Sequence, residues 1–253
     1  MKEITSHTND YIKMLKSLKR KKYRDEQGKY IIEGGKTILE AFEYGQHVES
    51  VIVSDKNSDV VHEAKQRNVD VIKVPYEVLE QIADTKSPPK ELACLVKGTQ
   101  KKNTGGRFYV AMDDVNDPKN LGTIIRTADA AGADGVCVSA ASADIYGPKV
   151  QRAAMGSTFH IDVEVCDLVR RLKEFKKQGG VVVAGSLKGT DQLFASHERV
   201  CVVIGNESRG ICPEVMELAD EQYTIPIYGK AESLNASVAA GIMLYEVRKR
   251  LKG

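Results

Sequence analysis

Three compact apolar runs in the second half of the chain, DGVCVSA (134–140), GGVVVAGS (179–186) and RVCVVIGNES (199–208), do not alternate between apolar and polar residues. A strand with one wet face must alternate, because successive side chains point to opposite sides of the sheet. Runs that are apolar throughout suit strands buried on both faces of a parallel sheet. RFYVAMDDV (107–115) opens this series, and helical patterns at 119–131, 167–177 and 213–220 supply the covering layers. The expectation for residues 108–253 is a doubly covered α/β sheet.

The first half has its own rhythm. KYIIEG (29–34), ESVIVS (49–54), VDVIKV (69–74) and LACLVK (92–97) read as strands rich in Val and Ile. Between them, 35–45, 58–68 and 76–85 carry apolar residues at helical spacing. Residues 1–97 are therefore expected to form a small α/β domain. KGTQKKNTGGR (97–107) holds no apolar residue and a glycine pair, which makes 98–107 the expected linker.

Several classes of function are disfavoured. No apolar run approaches the roughly eighteen residues needed to span a bilayer, and the N-terminus lacks the apolar core of a signal peptide. Five cysteines stand far apart with no CxxC, and five histidines show no ligand spacing. Buried free thiols in a reducing cytoplasm are expected, rather than disulfides or a metal site. GxGxxG follows no strand and GxxxxGK[ST] is missing, against a Rossmann oxidoreductase or a P-loop enzyme. GxSxG is missing too, and the strand-end serines lack an obvious histidine partner.

Charge is unevenly spread. Residues 1–107 hold 20 Lys/Arg against 16 Asp/Glu, and residues 108–253 hold 17 against 19. KSLKRKKYR (16–24) places six positive charges in nine positions. Lys19, Arg20, Lys21, Lys22 and Arg24 form a cluster that could neutralise phosphates. A solvated, lysine-rich helix face explains it equally well.

In open parallel sheets, ligands bind beyond the carboxyl ends of the strands. Three stretches lie there. In VNDPKNLGTIIRTADAAGADGV (115–136), Pro118 ends the extended run and Asn120 is expected to cap the next helix. Arg126 lies six residues, about 600°, further on and so on a different helix face from Asn120. Its planar fork suits phosphate, whereas a surface ion pair is the bland alternative. VVIGNESRGI (202–211) delivers Gly205, Asn206, Glu207 and Gly210 into one loop, either for close approach to a ligand or as a capped tight turn. IPIYGKAESLNASVAAGIMLYE (225–246) carries Ser233, Asn235 and Ser237 into an Ala-rich helix.

In this order, the three stretches resemble the three motifs of the SpoU (TrmH) family of RNA ribose 2′-O-methyltransferases, of the SPOUT superfamily. Asn120, Leu121, Gly122 and Arg126 match the first; Ile204, Gly205, Asn206, Glu207 and Gly210 the second; Ile225, Pro226 and Ser233 to Ser237 the third. The resemblance covers roughly 108–250, including GPKVQRAAMGSTFHIDV (147–163), and more loosely the N-terminal half, which is similar to the family's ribosomal-protein-like RNA-binding domain. It implies a deep trefoil knot, a topology that chain-threading rules would otherwise argue against. It implies S-adenosyl-L-methionine as cofactor, held around Gly205, Ile225 and Leu234 with Ser186, Leu187 and Ser237 nearby. It implies Arg126 as the central catalytic residue, with Asn120, Glu207, Ser233 and Asn235 shaping the site. It also implies a homodimer, and ribosomal RNA ahead of transfer RNA as substrate. The alternative from another class is a non-catalytic RNA-binding or ribosome-assembly factor, drawn from the basic segment.

Overall fold

The structure is a computed structural model that describes residues 1–98, 105–192 and 197–251. Of the expected linker 98–107, residues 99–104 lie outside the described residues. The chain divides into two compact units, Met1–Thr99 with Tyr146–Phe159, and Gln100–Ile145 with His160–Gly253.

The first unit runs β1 (Lys2–Glu3), α1 (Asp10–Ser17), α2 (Lys21–Gln27), β2 (Lys29–Glu33), α3 (Gly35–Glu43), β3 (Val48–Val53), α4 (Asp59–Gln66), β4 (Asp70–Lys73), α5 (Tyr76–Ile82) and β5 (Glu91–Val96). The strands form a mixed sheet in the order β1-β4-β3-β5-β2, with β5 antiparallel to both of its neighbours. Adjacent residues of one strand serve opposite faces, as the pleat requires. Tyr30 and Ile32 join a core with Ile38, Phe42, Val60 and Val61 from α3 and α4. Ile31 joins a second core with Ile12, Leu15, Leu79 and Ile82 from α1 and α5. The four strands and three helices expected in this half are all present.

The second unit begins with β6 (Phe108–Met112), α6 (Pro118–Ala130) and β7 (Gly135–Ser139). The chain then forms α7 (Pro148–Ala154) and α8 (Ser157–His160). Residues 146–159 group with the first unit. There Arg152 bonds Asp84 at 2.8 Å, Tyr146 packs on Tyr30, and Phe159 enters the core. The second unit resumes with β8 (Asp162–Cys166), α9 (Leu168–Lys177), β9 (Val181–Thr190), β10 (Val200–Ile204), α10 (Pro213–Met216), β11 (Glu221–Tyr223) and α11 (Ala236–Arg250).

Its six strands run in the order β11-β9-β10-β6-β7-β8, and every neighbouring pair is parallel. β6 and β10 are buried along their whole length, as expected of runs without alternation. One face of the sheet packs on Leu168, Leu172 and Phe175 of α9 and Val215 of α10. The other is covered by α6 and α11, which contribute buried Leu121, Ile124, Ile125, Met243 and Leu244. From β6 the chain proceeds to β7 and β8 on one side, whereas β10 is reached from β9 on the other. The carboxyl ends of β6 and β10 thus flank a topological switch point, where open α/β sheets bind their ligands.

Candidate functional site

Ile204 at the end of β10 pairs in register with Met112 at the end of β6, so Asp113 and Gly205 leave the sheet side by side. The loop after Gly205 is closed by paired backbone hydrogen bonds between Asn206 and Gly210 of 2.9 and 3.0 Å. A Cβ on Gly205 would lie 2.4 Å from the Gly210 carbonyl carbon, so only glycine lets the loop fold back this tightly. Asn206 makes an Asx turn, accepting from Ser208 N and Arg209 N, and its Nδ2 donates to the Asp114 carbonyl at 2.8 Å. Asp114 holds a left-handed backbone (φ 56°) and pairs with Arg209, while buried Asp113 accepts from Cys212 N at 2.8 Å. The loops after β6 and β10 are therefore tied together by polar contacts from both sides.

At the start of α6 the expected cap is displaced. Asp117, not Asn120, is the N-cap, accepting from Lys119 N and Asn120 N at 2.8 Å, and Pro118 occupies the first turn. Proline needs no hydrogen bond there and its fixed φ is already helical. The Asn120 side chain is thereby released to work between elements. Its Nδ2 donates to Glu207 Oε1 at 3.0 Å, and its Oδ1 accepts from Asn235 Nδ2 at 3.1 Å. Asn235 Oδ1 in turn caps α11, accepting from Ser237 N at 2.9 Å and Ser237 Oγ at 2.6 Å. Glu207 Oε1 also accepts from Asp117 N at 3.4 Å. One directional chain of amides therefore joins all three sequence motifs, with a carboxylate at one end and a helix N-terminus at the other.

Arg126 lies on α6, exposed, on a different face from Asn120 as the helical spacing required. Ser233 is exposed two residues before Asn235 and takes no part in the amide chain. Ser186 and Leu187 fall within β9, beyond its last pair with β10 at Ala184. The Ser186 carbonyl accepts from Thr224 Oγ1 at 2.5 Å, which anchors the segment before Ile225, and Leu187 is 74% exposed. Among the described residues, no backbone–backbone hydrogen bond engages the amides of 225–234, a stretch outside helix and strand. Half-buried Ile225 and Leu234 bound this stretch of open backbone. A ligand rich in hydrogen-bonding edges but without a pyrophosphate fits such loops, since no glycine-rich helix N-terminus is offered to it.

The basic segment lies in the first unit. Lys19, Arg20, Lys21 and Lys22 are exposed; Lys21 pairs with Asp25 at 2.6 Å and Lys22 with Glu26 at 3.8 Å. Arg24 corrects the expectation that it contacts RNA: it is 4% exposed, and its Nη1 donates to the Leu18 and Lys19 carbonyls at 2.7 and 2.8 Å. Those are carbonyls left without partners where α1 ends, so Arg24 serves as a structural cap.

Sequence reasoning missed Asp114, Asp117 and Arg209. Asp114 and Arg209 are ordinary loop residues that find each other only through the approach of β6 to β10, whereas Asp117 caps α6 locally, where the Asp-Pro pair before the helix was the available signal.

These features define a parallel-sheet α/β domain whose ligand loops meet at the switch point. Residues 107–245 match the SpoU rRNA Methylase family and residues 9–93 the MRM3-like substrate binding domain. The chain belongs to the SpoU family. It is 32% identical over 250 residues to the 23S rRNA (guanosine(2553)-2'-O)-methyltransferase RlmP of Bacillus subtilis, covering 98% of this chain and 100% of that one. An AdoMet-bound rRNA methyltransferase from Sinorhizobium meliloti has the same fold, with a TM-score of 0.89 and 33% identity over 100% of this chain and 99% of that one. The SpoU methyltransferase AviRb from Streptomyces viridochromogenes, in complex with AdoMet, gives 0.87 and 26% over 95% and 97%.

The amide chain makes a stability prediction. Asn235→Ala removes a helix cap, worth about 1 kcal/mol, and an inter-element hydrogen bond, worth about another. Asn235→Asp keeps the capping acceptor and loses only the donor to Asn120. Urea unfolding should show a loss of about 2 kcal/mol for the first and about half that for the second. No loss for Asn235→Asp would mean that the bridge to Asn120 contributes nothing.

Proposed function

We propose that this protein transfers the methyl group of S-adenosyl-L-methionine to a ribose 2′-hydroxyl of RNA, with ribosomal RNA preferred over transfer RNA. The observation that carries the reading is the union of the three motifs by the Asn235–Asn120–Glu207 hydrogen bonds at the switch point. Family membership, the rRNA substrate named for RlmP and the AdoMet-bound relatives support it. Residues 1–97 form the RNA-binding domain, 98–107 the linker and 108–253 the methyltransferase domain, with the C-terminal segment threaded as the family's trefoil knot.

When bound, S-adenosylmethionine supplies a methyl group on a sulfonium, so transfer to oxygen is a direct in-line displacement. The protein's task is alignment of the reacting atoms within about 3–3.5 Å. The backbone around Gly205, Ile225 and Leu234 holds the cofactor, with Ser186, Leu187 and Ser237 beside it. Arg126 stabilises the phosphate next to the reacting ribose and the charge developing on its 2′-oxygen, whose proton passes to that phosphate or to solvent as the methyl–sulfur bond breaks. A guanidinium with pKa above about 12 is a poor base but a constant cation with a planar fork. Glu207 Oε1 is held by two donors, so it positions Asn120 rather than taking a proton. Ser233 and Asn235 line the ribose side. Lys19, Arg20, Lys21 and Lys22 contribute phosphate contacts from the first unit.

We also assign a homodimer and a cytoplasmic location. α11 buries Ala240, Met243, Leu244 and Val247 in its own unit but leaves Val238, Ile242 and Tyr245 exposed, a stripe at helical spacing that a second copy would cover. All five cysteines are free, and no helix among the described residues is long and apolar enough to cross a membrane.

Labelled-methyl transfer to rRNA from a deletion strain should yield alkali-resistant 2′-O-methyl linkages. Arg126→Ala should lower the rate by about 10²-fold or more while calorimetry shows S-adenosylhomocysteine binding nearly unchanged. An unchanged rate would overturn the role of Arg126, and failure of the native protein to bind S-adenosylhomocysteine would leave a non-catalytic RNA-binding factor. Sedimentation should show the native protein as a dimer and Ile242→Glu as a monomer; a monomeric native protein at micromolar concentration would refute the interface.

A further inference from the structure

One cluster of chemically versatile side chains in the second unit has no part in this reaction. Cys137 on β7 pairs in register with Glu164 on the neighbouring strand β8, and Cys166 follows two residues later on the same face. The two sulfurs and a Glu164 carboxylate oxygen all lie within 4.8 Å of one another. Cys137 is buried, whereas Glu164 and Cys166 are partly exposed, which leaves an entry path from the sheet edge. Arg171 on α9 stands beside them, its Nε 3.7 Å from Glu164 Oε2 and its guanidinium 5.2 Å from the centroid of the Tyr109 ring.

We propose that Cys137, Glu164 and Cys166 form a binding site for a thiophilic divalent ion of the zinc class, with a fourth position open to solvent. Zinc takes sulfur donors at about 2.3 Å and carboxylate oxygen at about 2.0–2.2 Å, which sets thiolates about 3.8 Å apart in a tetrahedron. The three donors lie within 4.8 Å of one another, so closing on the ion takes side-chain adjustment of about 1 Å. Charge favours the ion as well. Two thiolates and a carboxylate carry −3; a divalent ion and the Arg171 guanidinium carry +3, so the partly buried assembly is neutral. Binding replaces two thiol protons, which leave to solvent, by one ion. The ion ties the edge strand β8 to β7. The spacing of 27 and 29 residues from Cys137, with no CxxC, hides the site in the sequence. The site also departs from the expectation that no metal is bound.

Reduced, chelator-treated full-length protein titrated with Cd²⁺ should bind one ion per chain, with a thiolate-to-cadmium charge-transfer band and release of two protons. Zn²⁺ alone should raise the melting temperature of the native protein, a readout that needs no substitution, and the softer Cd²⁺ should displace it. Cys137→Ser and Cys166→Ser should each abolish the band, Arg171→Gln should weaken binding about tenfold, and Cys94→Ser and Cys201→Ser should leave it intact. Cys166 is only partly buried, so Cys166→Ser serves where Cys137→Ser fails to fold. The site is refuted if no band forms with a stoichiometric ion, if the band survives both serine variants, or if the pair closes to a disulfide and the reduced protein binds no metal.

Discussion

The site rests on a short relay of side-chain amides. Asn120 accepts from Asn235 and donates to Glu207, joining positions 115 and 87 residues distant from it in the chain. Each bond alone is worth about 1 kcal/mol. Their importance lies in direction: an amide has one donor end and one acceptor end, and Asn120 uses both. A carboxylate at 207 and a helix-capping amide at 235 each require the asparagine between them in this orientation. The relay ties three loops to one another, and a reaction limited by alignment demands that its loops be held together.

The relay depends in turn on the sheet. Because β6 and β10 are adjacent and parallel, their carboxyl ends deliver Asp113 and Gly205 to one place, while α6 and α11 cover the same face. The tight Asn206–Gly210 loop then presents Glu207 towards the start of α6, and it forms only because position 205 lacks a Cβ. Asp117 completes the arrangement. By capping α6 itself, it frees Asn120 from a local duty and turns a helix-end residue into a bridge.

Periodicity made most of this architecture readable. Valine-rich runs without alternation marked β7, β9 and β10 as buried parallel strands, and helical spacing placed α6 and α9 close to their observed limits. The resemblance to the family's motifs named Asn120, Glu207 and Asn235; taken singly, such residues also fit a capped turn or a helix start. What escaped notice depends on contacts between distant segments. β8 carries Glu164 within a five-residue edge strand, and β11 spans three residues, too short for a pattern. Residues 146–159 group with the first unit through Tyr146, Arg152 and Phe159, which no local signal reveals. Arg24 looked like its lysine neighbours until its burial showed it closing the end of α1.

The most direct test of the relay is a double-mutant cycle on methyl transfer to rRNA, using Asn120→Ala, Glu207→Ala and the pair together. If the two side chains act as one unit, the double variant is little slower than the slower single variant, and the coupling exceeds about 0.5 kcal/mol. If the two losses simply add, Asn120 and Glu207 act independently and the relay does not organise the site.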